Sequence, residues 1–382
     1  MNYNFDEIID RRGTDSSKWQ VSANELPLTI ADMDFKTAPE IISDLKDKVA
    51  TGVFGYENPP EEYFAAVIDW YQKMHHAKIQ REWMIFATGV IPALSSLVRR
   101  LSRPAENVVV QSPVYNIFYN SIENNGRKVL ENQLAYDKKT RTYRIDFLDL
   151  AAKLEDPQTT MMILCNPHNP TGQVWSPDTL ERIVKLCCDN HVVLISDEIH
   201  GDLVLDGPDY TPIFSLEPEL RNHTVALVSP SKTFNVAALH AATVIVPEPF
   251  LRHAVDRGLN NEELAEPNLA AIPGTIAAYR YGSPWLAELK SYLLDNRQLV
   301  EDALTDQMKL VKGSATYLLW LDCSAFEVSS GQLAAEIRQQ TGLILSPGKI
   351  FRGNGDQFLR MNIAYPRKVL KDALKRLTSF SI

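Results

Sequence analysis

MMILCNPHNPTG, residues Met161–Gly172, is the stretch that decides the fold. Five apolar residues, Met161–Cys165, run directly into a turn rich in Asn and Pro. An apolar run of this length, closed by turn residues, predicts a short strand covered on both faces. Pro167, Pro170 and Gly172 stop any helix from continuing out of it. Asn169 is therefore held just past the end of a buried strand, which is where open α/β sheets bind their ligands.

The pattern repeats on either side of this stretch. Trp83–Phe86, Asn107–Val110, Val192–Ile195, Thr224–Val228 and Ala242–Val246 read as strands. Glu61–Lys73, Pro92–Leu101 and Pro177–Asn190 read as helices, and Pro39 opens another. Strands alternating with helices predict a mainly parallel sheet in a three-layer α/β/α sandwich. Beyond Ser283 the character changes to a smaller α+β unit. It reads as a helix over Pro284–Lys309, strands at Thr316–Leu321, Leu343–Leu345 and Gln357–Ile363, and helices at Gly331–Gln340 and Val369–Leu377. The first 30 residues are polar and without core periodicity, so they read as an arm lying on another part of the molecule. The expected division is 1–45 for the arm and a small-domain segment, 46–282 for a large domain and 283–382 for a small C-terminal domain.

A chain of 382 residues can bury two cores. Its 45% hydrophobic and 23% charged residues are an ordinary globular balance. The net charge of −9 argues against a nucleic-acid partner, which would call for a basic stripe. Cys165, Cys187, Cys188 and Cys323 form no CxxC pair, so no zinc site is expected. They fit reduced, cytoplasmic usage. The acidic N-terminus lacks the apolar core of a signal peptide. No apolar run approaches the roughly 20 residues of a membrane span, so no membrane partner is expected.

Five strand ends carry polar residues: Thr88-Gly89-Val90, Tyr115, Asn169, Asp197, and Ser229 with Lys232. Alone, each has an ordinary reading. Lys232 reads as a surface lysine, Asp197 as a helix cap, Asn169 as a turn residue and Gly89 as a plain β–α turn. Asp32 and Asp34, in Ala31–Phe35, read as a cap or turn. Together the strand ends describe a pocket for pyridoxal phosphate (PLP). That cofactor needs a lysine amine for its aldehyde and a carboxylate to keep its pyridinium nitrogen protonated. It needs an aromatic ring to stack on, a donor for its ring hydroxyl and an anion nest for its phosphate. Lys232, Asp197, Tyr115, Asn169 and the Gly89 turn could supply these in that order, with Ser229 adding a hydroxyl to the phosphate.

The ordered set NPTG (Asn169–Gly172), Asp197, SxSK (Ser229–Lys232) and Arg360 resembles the fold-type I PLP enzymes of the aspartate aminotransferase superfamily, over nearly the whole chain. ADMDF (Ala31–Phe35), the arm with Arg12, Lys18 and Trp19, GVIPAL (Gly89–Leu94), DEIHGDL (Asp197–Leu203) and SKTFN (Ser231–Asn235) are similar to the cystathionine β-lyase, or carbon–sulfur lyase, branch (MalY/PatB type). His200 stands where most aminotransferases of the superfamily have Tyr, and the lyase branch has His there too. The resemblance implies PLP bound in the large domain and β-elimination from L-cystathionine or a related S-substituted cysteine. The alternative is an aminotransferase sharing the same cofactor residues. It implies Arg360 as the grip on the substrate carboxylate, and a homodimer in which Tyr56 reaches the phosphate of the partner subunit's cofactor. His240 departs from the superfamily, which often has Arg at that place. Phosphate anchoring would then lean on the Gly89–Val90 amides and on hydroxyls.

Overall fold

The structure is a computed structural model and describes residues 3–381. Seven strands form the central sheet: β1 (Met84–Ala87), β2 (Asn107–Val110), β3 (Lys128–Glu131), β4 (Thr159–Cys165), β5 (Val193–Asp197), β6 (Thr224–Val228) and β7 (Ala242–Ile245). Their spatial order is β1-β7-β6-β5-β4-β2-β3. β7 pairs antiparallel with both β1 and β6, and the remaining pairs are parallel. The other six strands therefore all present their carboxyl ends at one edge.

β4 shows why its sequence is apolar throughout. Met161, Ile163 and Cys165 face one core, and Met162 and Leu164 face the other. This period of two is strand geometry with both faces covered. The first core is closed by Ala93, Leu94, Leu97 and Val98 of the helix Val90–Leu101. The second is closed by Leu180, Ile183, Val184 and Cys187 of the helix Pro177–Asp189. Each fully buried aliphatic side chain contributes about 1.5–3 kcal/mol, so the middle strand is pinned in register on both sides. The turn after β4 is pinned as well. Gly172 has φ +68°, and a Cβ there would lie 3.0 Å from the Ala315 carbonyl oxygen. Its own carbonyl accepts from the Ser314 and Ala315 N–H groups at 2.8 and 3.0 Å.

The C-terminal part carries a second, antiparallel sheet of β8 (Lys309–Leu310), β9 (Leu318–Asp322), β10 (Ser346–Pro347) and β11 (Phe358–Asn362), in the order β8-β9-β11-β10. The arm joins this part through Leu26–Pro27, which pairs in parallel with Leu343–Ile344. Residue 45 lies inside the helix Pro39–Ala50. Gly282 separates the helices Ala271–Tyr281 and Ser283–Ala303. The latter helix stops well short of Lys309, because the chain turns extended at Leu304. Asp32 and Asp34 cap no helix. They face Lys18 and Arg11 instead.

Candidate active site

A cavity of about 360 Å³ opens at the carboxyl edge of the central sheet. Gly89, Val90, Tyr115, Asn169, Asp197, His200, Lys232 and His240 line it, so residues from five separate strand ends meet in one place. Register explains the central group. Cys165 at the end of β4 pairs with Asp197 at the end of β5, and Asp197 pairs with Leu227 of β6. Lys232 follows four residues after the last residue of β6, Val228.

Lys232 and Asp197 are titratable groups that share this cavity. Lys232 Nζ donates to the Ala31 carbonyl at 2.7 Å. Burial brings its amine down to about 8, with Arg360 and Lys18 pushing the same way and Asp32 and Asp197 opposing them. Asp197 is buried, and burial pushes its carboxyl up to about 7 against the pull of the Ile199 N–H and Lys232. Among the described residues it forms no ion pair, and its carboxylate accepts a hydrogen bond of 3.1 Å from the Ile199 N–H. A buried carboxylate is costly until a cationic partner arrives. His200, three residues on, is also buried. Burial together with the charges of Lys232 and Arg360 lowers its imidazole to about 3, and its Nδ1 has no hydrogen-bond partner among the described residues.

Arg360 lies in the middle of β11, opposite Trp320 and Ser346. Its guanidinium is buried and donates to Asn169 Oδ1 at 3.1 Å and to the Thr29 carbonyl at 3.0 Å. No carboxylate pairs with it among the described residues, and its Nε–H is buried without a partner. Burial brings it down to about 10. Arg360 and Asn169 thus bring the C-terminal sheet and the opening turn together. Because Asn169 Oδ1 is occupied by Arg360, its Nδ2 donors remain free for a ligand.

The opposite end of the cavity is built from backbone. Gly89, at φ +133°, precedes the helix Val90–Leu101, and Gly89, Val90, Ile91 and Pro92 all line the cavity. A helix N-terminus presents free N–H groups and positive partial charge to an anion. Thr88 precedes the turn, and its N–H is bonded to the Leu264 carbonyl at 2.9 Å. The Ser229 hydroxyl bonds the Ala241 carbonyl and Ser231 Oγ, both at 2.7 Å, whereas Ser231 itself lines the cavity. His240 adopts a left-handed conformation at φ +49° on the cavity wall. Tyr115 is half-buried on the same wall, and burial raises its phenol. Tyr56 stands apart. It is fully exposed on a loop with exposed Val53 and Phe54, and it does not line this cavity. Ala31 and Ser231 carried no signal as site residues, since a small residue and one serine among several have no spacing to mark them. Among the described residues no cluster of three His, Cys, Asp or Glu could hold a metal ion.

A mainly parallel α/β sheet whose carboxyl edge holds a half-buried lysine and an aspartate without an ion pair among the described residues, with an arginine of the second sheet reaching its Asn169, is the frame of an enzyme acting on amino acids through a carbonyl cofactor. The sequence profile of aminotransferase class I and II matches residues 23–377, and the chain belongs to that family. It is 40% identical over 384 residues to cystathionine beta-lyase PatB of Bacillus subtilis (strain 168), with 98% of each chain covered. It is 34% identical over 386 residues to protein MalY of Escherichia coli (strain K12), again with 98% of each covered. The structure of cystalysin from Treponema denticola, which contains a pyridoxal 5'-phosphate cofactor, superimposes with a TM-score of 0.95 at 31% identity, covering 99% of this chain and 98% of that one.

Proposed function

We propose that this protein is a PLP-dependent carbon–sulfur β-lyase that converts L-cystathionine or a related S-substituted cysteine to a thiol, pyruvate and ammonia. The single observation that carries the reading is the meeting of Lys232 and Asp197 on one cavity, with Arg360 hydrogen-bonded to Asn169 of its wall and no counter-ion to Asp197 or Arg360 among the described residues. The residues fit the cofactor. A protonated ring nitrogen beside Asp197 would supply the missing cation and draw its carboxyl back down. Asn169 Nδ2 would donate to the ring oxygen, Tyr115 would stack on the ring, and His200 would stay a neutral imidazole on the cavity wall. The Gly89 and Val90 N–H groups, with Thr88, Ser229 and Ser231 about them, would hold the phosphate. When bound, the cofactor supplies an electron sink for the charge left at the substrate Cα.

The chain's own residues do the rest. Arg360 holds the substrate α-carboxylate with Nε–H and the guanidinium protons not used by Asn169 and Thr29, a charge-assisted fork. That grip fixes the Cα–H bond relative to Lys232. Lys232 takes the Cα proton as general base, a role worth about 10²–10⁴ in rate. Its lowered value near 8 leaves an appreciable free-amine fraction close to neutral pH. Electrons from the broken C–H bond expel the thiolate from Cβ, and the remaining three-carbon fragment takes up water to give pyruvate and ammonia.

Tyr56 and its exposed apolar neighbours support a homodimer in which this loop reaches the partner's site. With the chain divided into arm, large domain and small C-terminal domain, the cofactor would sit on the large one and Arg360 belongs to the small one. Four free cysteines, and no helix among the described residues long and apolar enough to cross a membrane, support a cytoplasmic protein. The alternative, aminotransferase activity, shares the cofactor contacts and differs in what it requires. Incubation with L-cystathionine and no keto acid separates the two. Repeated turnover to pyruvate and thiol is expected. Product formation only after a keto acid is added would establish the aminotransferase.

A further inference from the structure

The arm returns to the cavity at one point. The Ala31 carbonyl accepts from Lys232 Nζ at 2.7 Å and from the Tyr317 hydroxyl at 3.0 Å. The flanking backbone is held just as firmly. Asn362 Nδ2 donates to the Ile30 and Asp32 carbonyls, both at 2.7 Å, and Asn235 brackets Met33 through bonds of 2.8 and 3.0 Å. Behind this backbone lies a closed set of charges. The Lys18 side chain is 0% exposed and pairs with Asp32 at 2.6 Å and Asp34 at 2.9 Å. Its ammonium also sits 4.5 Å over the Tyr365 ring. Arg11 spans the same two carboxylates at 2.9 and 2.7 Å, and Trp19 Nε1 donates to Asp34 at 2.9 Å.

Two cations matched to two carboxylates are neutral as a set, which is what makes a fully buried lysine tolerable. Such a cluster is an expensive anchor for an arm that Asn362 and Asn235 already tie down. None of its four charged residues lines the cavity. Its position immediately behind the Lys232 acceptor is what distinguishes it.

We propose that the cluster of Lys18, Asp32, Asp34 and Arg11 is a positioning device for Lys232: it fixes the Ala31 carbonyl that receives the Lys232 amine and sets the charge behind that amine. Whenever the amine is free, it returns to one place with one protonation balance. The inference rests on the reading of Lys232 as the acting amine. The groups facing Lys232 are Asp32 and Lys18 from the arm, Asp197 and His200 from β5 and its loop, and Arg360 from β11, with the Tyr317 hydroxyl sharing its acceptor. Asp32 favours the ammonium form and Lys18 opposes it, so the two arm residues act with opposite sign. Both are positioning residues and neither contacts the reacting atoms.

The opposite signs make the test. Asp32→Asn and Lys18→Met are made in the full-length chain, and reductive methylation of Lys232 by formaldehyde is followed by mass spectrometry across neutral to alkaline pH, with the cofactor removed. Asp32→Asn is expected to move the labelling midpoint to lower pH and Lys18→Met to higher pH, each changing labelling at a fixed pH several-fold. In the holoenzyme, hydrogen–deuterium exchange at the Cα of L-alanine, which has no leaving group, is expected to shift its pH midpoint the same two ways. General damage to the arm would move both variants in one direction. Unchanged midpoints, or shifts of the same sign, overturn the proposal. Should a single variant fail to fold, Asp32→Glu is read in its place. It keeps the charge, so the midpoint stays, while the displaced carbonyl slows exchange. A wild-type exchange rate in Asp32→Glu would overturn the positioning role. The labelling needs neither substrate nor turnover, so loss of the lyase reading would leave this test standing.

Discussion

Arg360→Met removes a buried guanidinium that has hydrogen bonds but no counter-ion among the described residues. Burial brings this group from its ordinary 12.5 to about 10. That corresponds to about 3 kcal/mol of penalty on the charged form, held until an anion arrives. Truncating one partner of a buried charge pair costs about 2–5 kcal/mol in binding. The two figures agree on a loss of roughly 10²-fold in kcat/KM, at 1.36 kcal/mol per tenfold. Stability should respond far less. Methionine forfeits two hydrogen bonds from a charged donor, about 1.5–3 kcal/mol each, and removes the burial penalty, so the net cost stays below about 3 kcal/mol. The assay is pyruvate release from L-cystathionine coupled to lactate dehydrogenase, with cofactor occupancy checked by absorbance. Arg360→Lys keeps the charge and loses the planar fork, and should recover only part of the activity. A kcat/KM within twofold of wild type in Arg360→Met, with the cofactor still bound, would refute the placement of the substrate carboxylate at this residue.

Three further outcomes follow from the geometry. Lys232 acts as a base only when unprotonated and released from the cofactor, so kcat, which reports the substrate-bound enzyme, should climb towards pH 8 and level above it, following the amine brought down to about 8. A pH–rate profile that falls across this range would contradict the assignment. Tyr56→Ala and Lys232→Ala should each be inactive alone and regain up to about a quarter of wild-type activity when mixed under subunit exchange, because mixed dimers carry one intact site. No recovery on mixing would remove Tyr56 from the partner's site. Gly172→Ala puts a Cβ at 3.0 Å from the Ala315 carbonyl at a φ of +68°. It should cost about 1–3 kcal/mol in chemical denaturation, and an unshifted midpoint would show that the turn relaxes freely.

The residues that were legible in the sequence are those whose chemistry sits at a strand end. Asn169, Asp197 and Lys232 stand out because buried apolar runs lead straight to them, and the register of β4, β5 and β6 places those ends side by side. Strand direction was less legible. Ala242–Ile245 is buried on both faces, so nothing in its pattern shows that β7 runs against its neighbours. The hairpin Ala135–Asp137 with Thr142–Arg144 is short and half exposed, and leaves little periodicity to read. Lys18 was the least legible of all. In sequence it is one lysine in a polar arm. Its burial depends on Asp32 and Asp34, more than a dozen residues away, and on Tyr365 at the far end of the chain. Ala31 serves through its carbonyl, and a backbone acceptor leaves no trace in residue type.

The central claim is that the chemistry is organised on Lys232 at the carboxyl edge of the central sheet. The most direct measurement is borohydride reduction of the purified holoenzyme, followed by digestion and mass spectrometry of the lysine-containing peptides. The account predicts a single pyridoxyl adduct, on Lys232 within Ser231–Asn235, and its disappearance in Lys232→Ala together with the visible absorbance of the bound cofactor. An adduct on any other lysine, or a Lys232→Ala protein that keeps both absorbance and turnover, would contradict it.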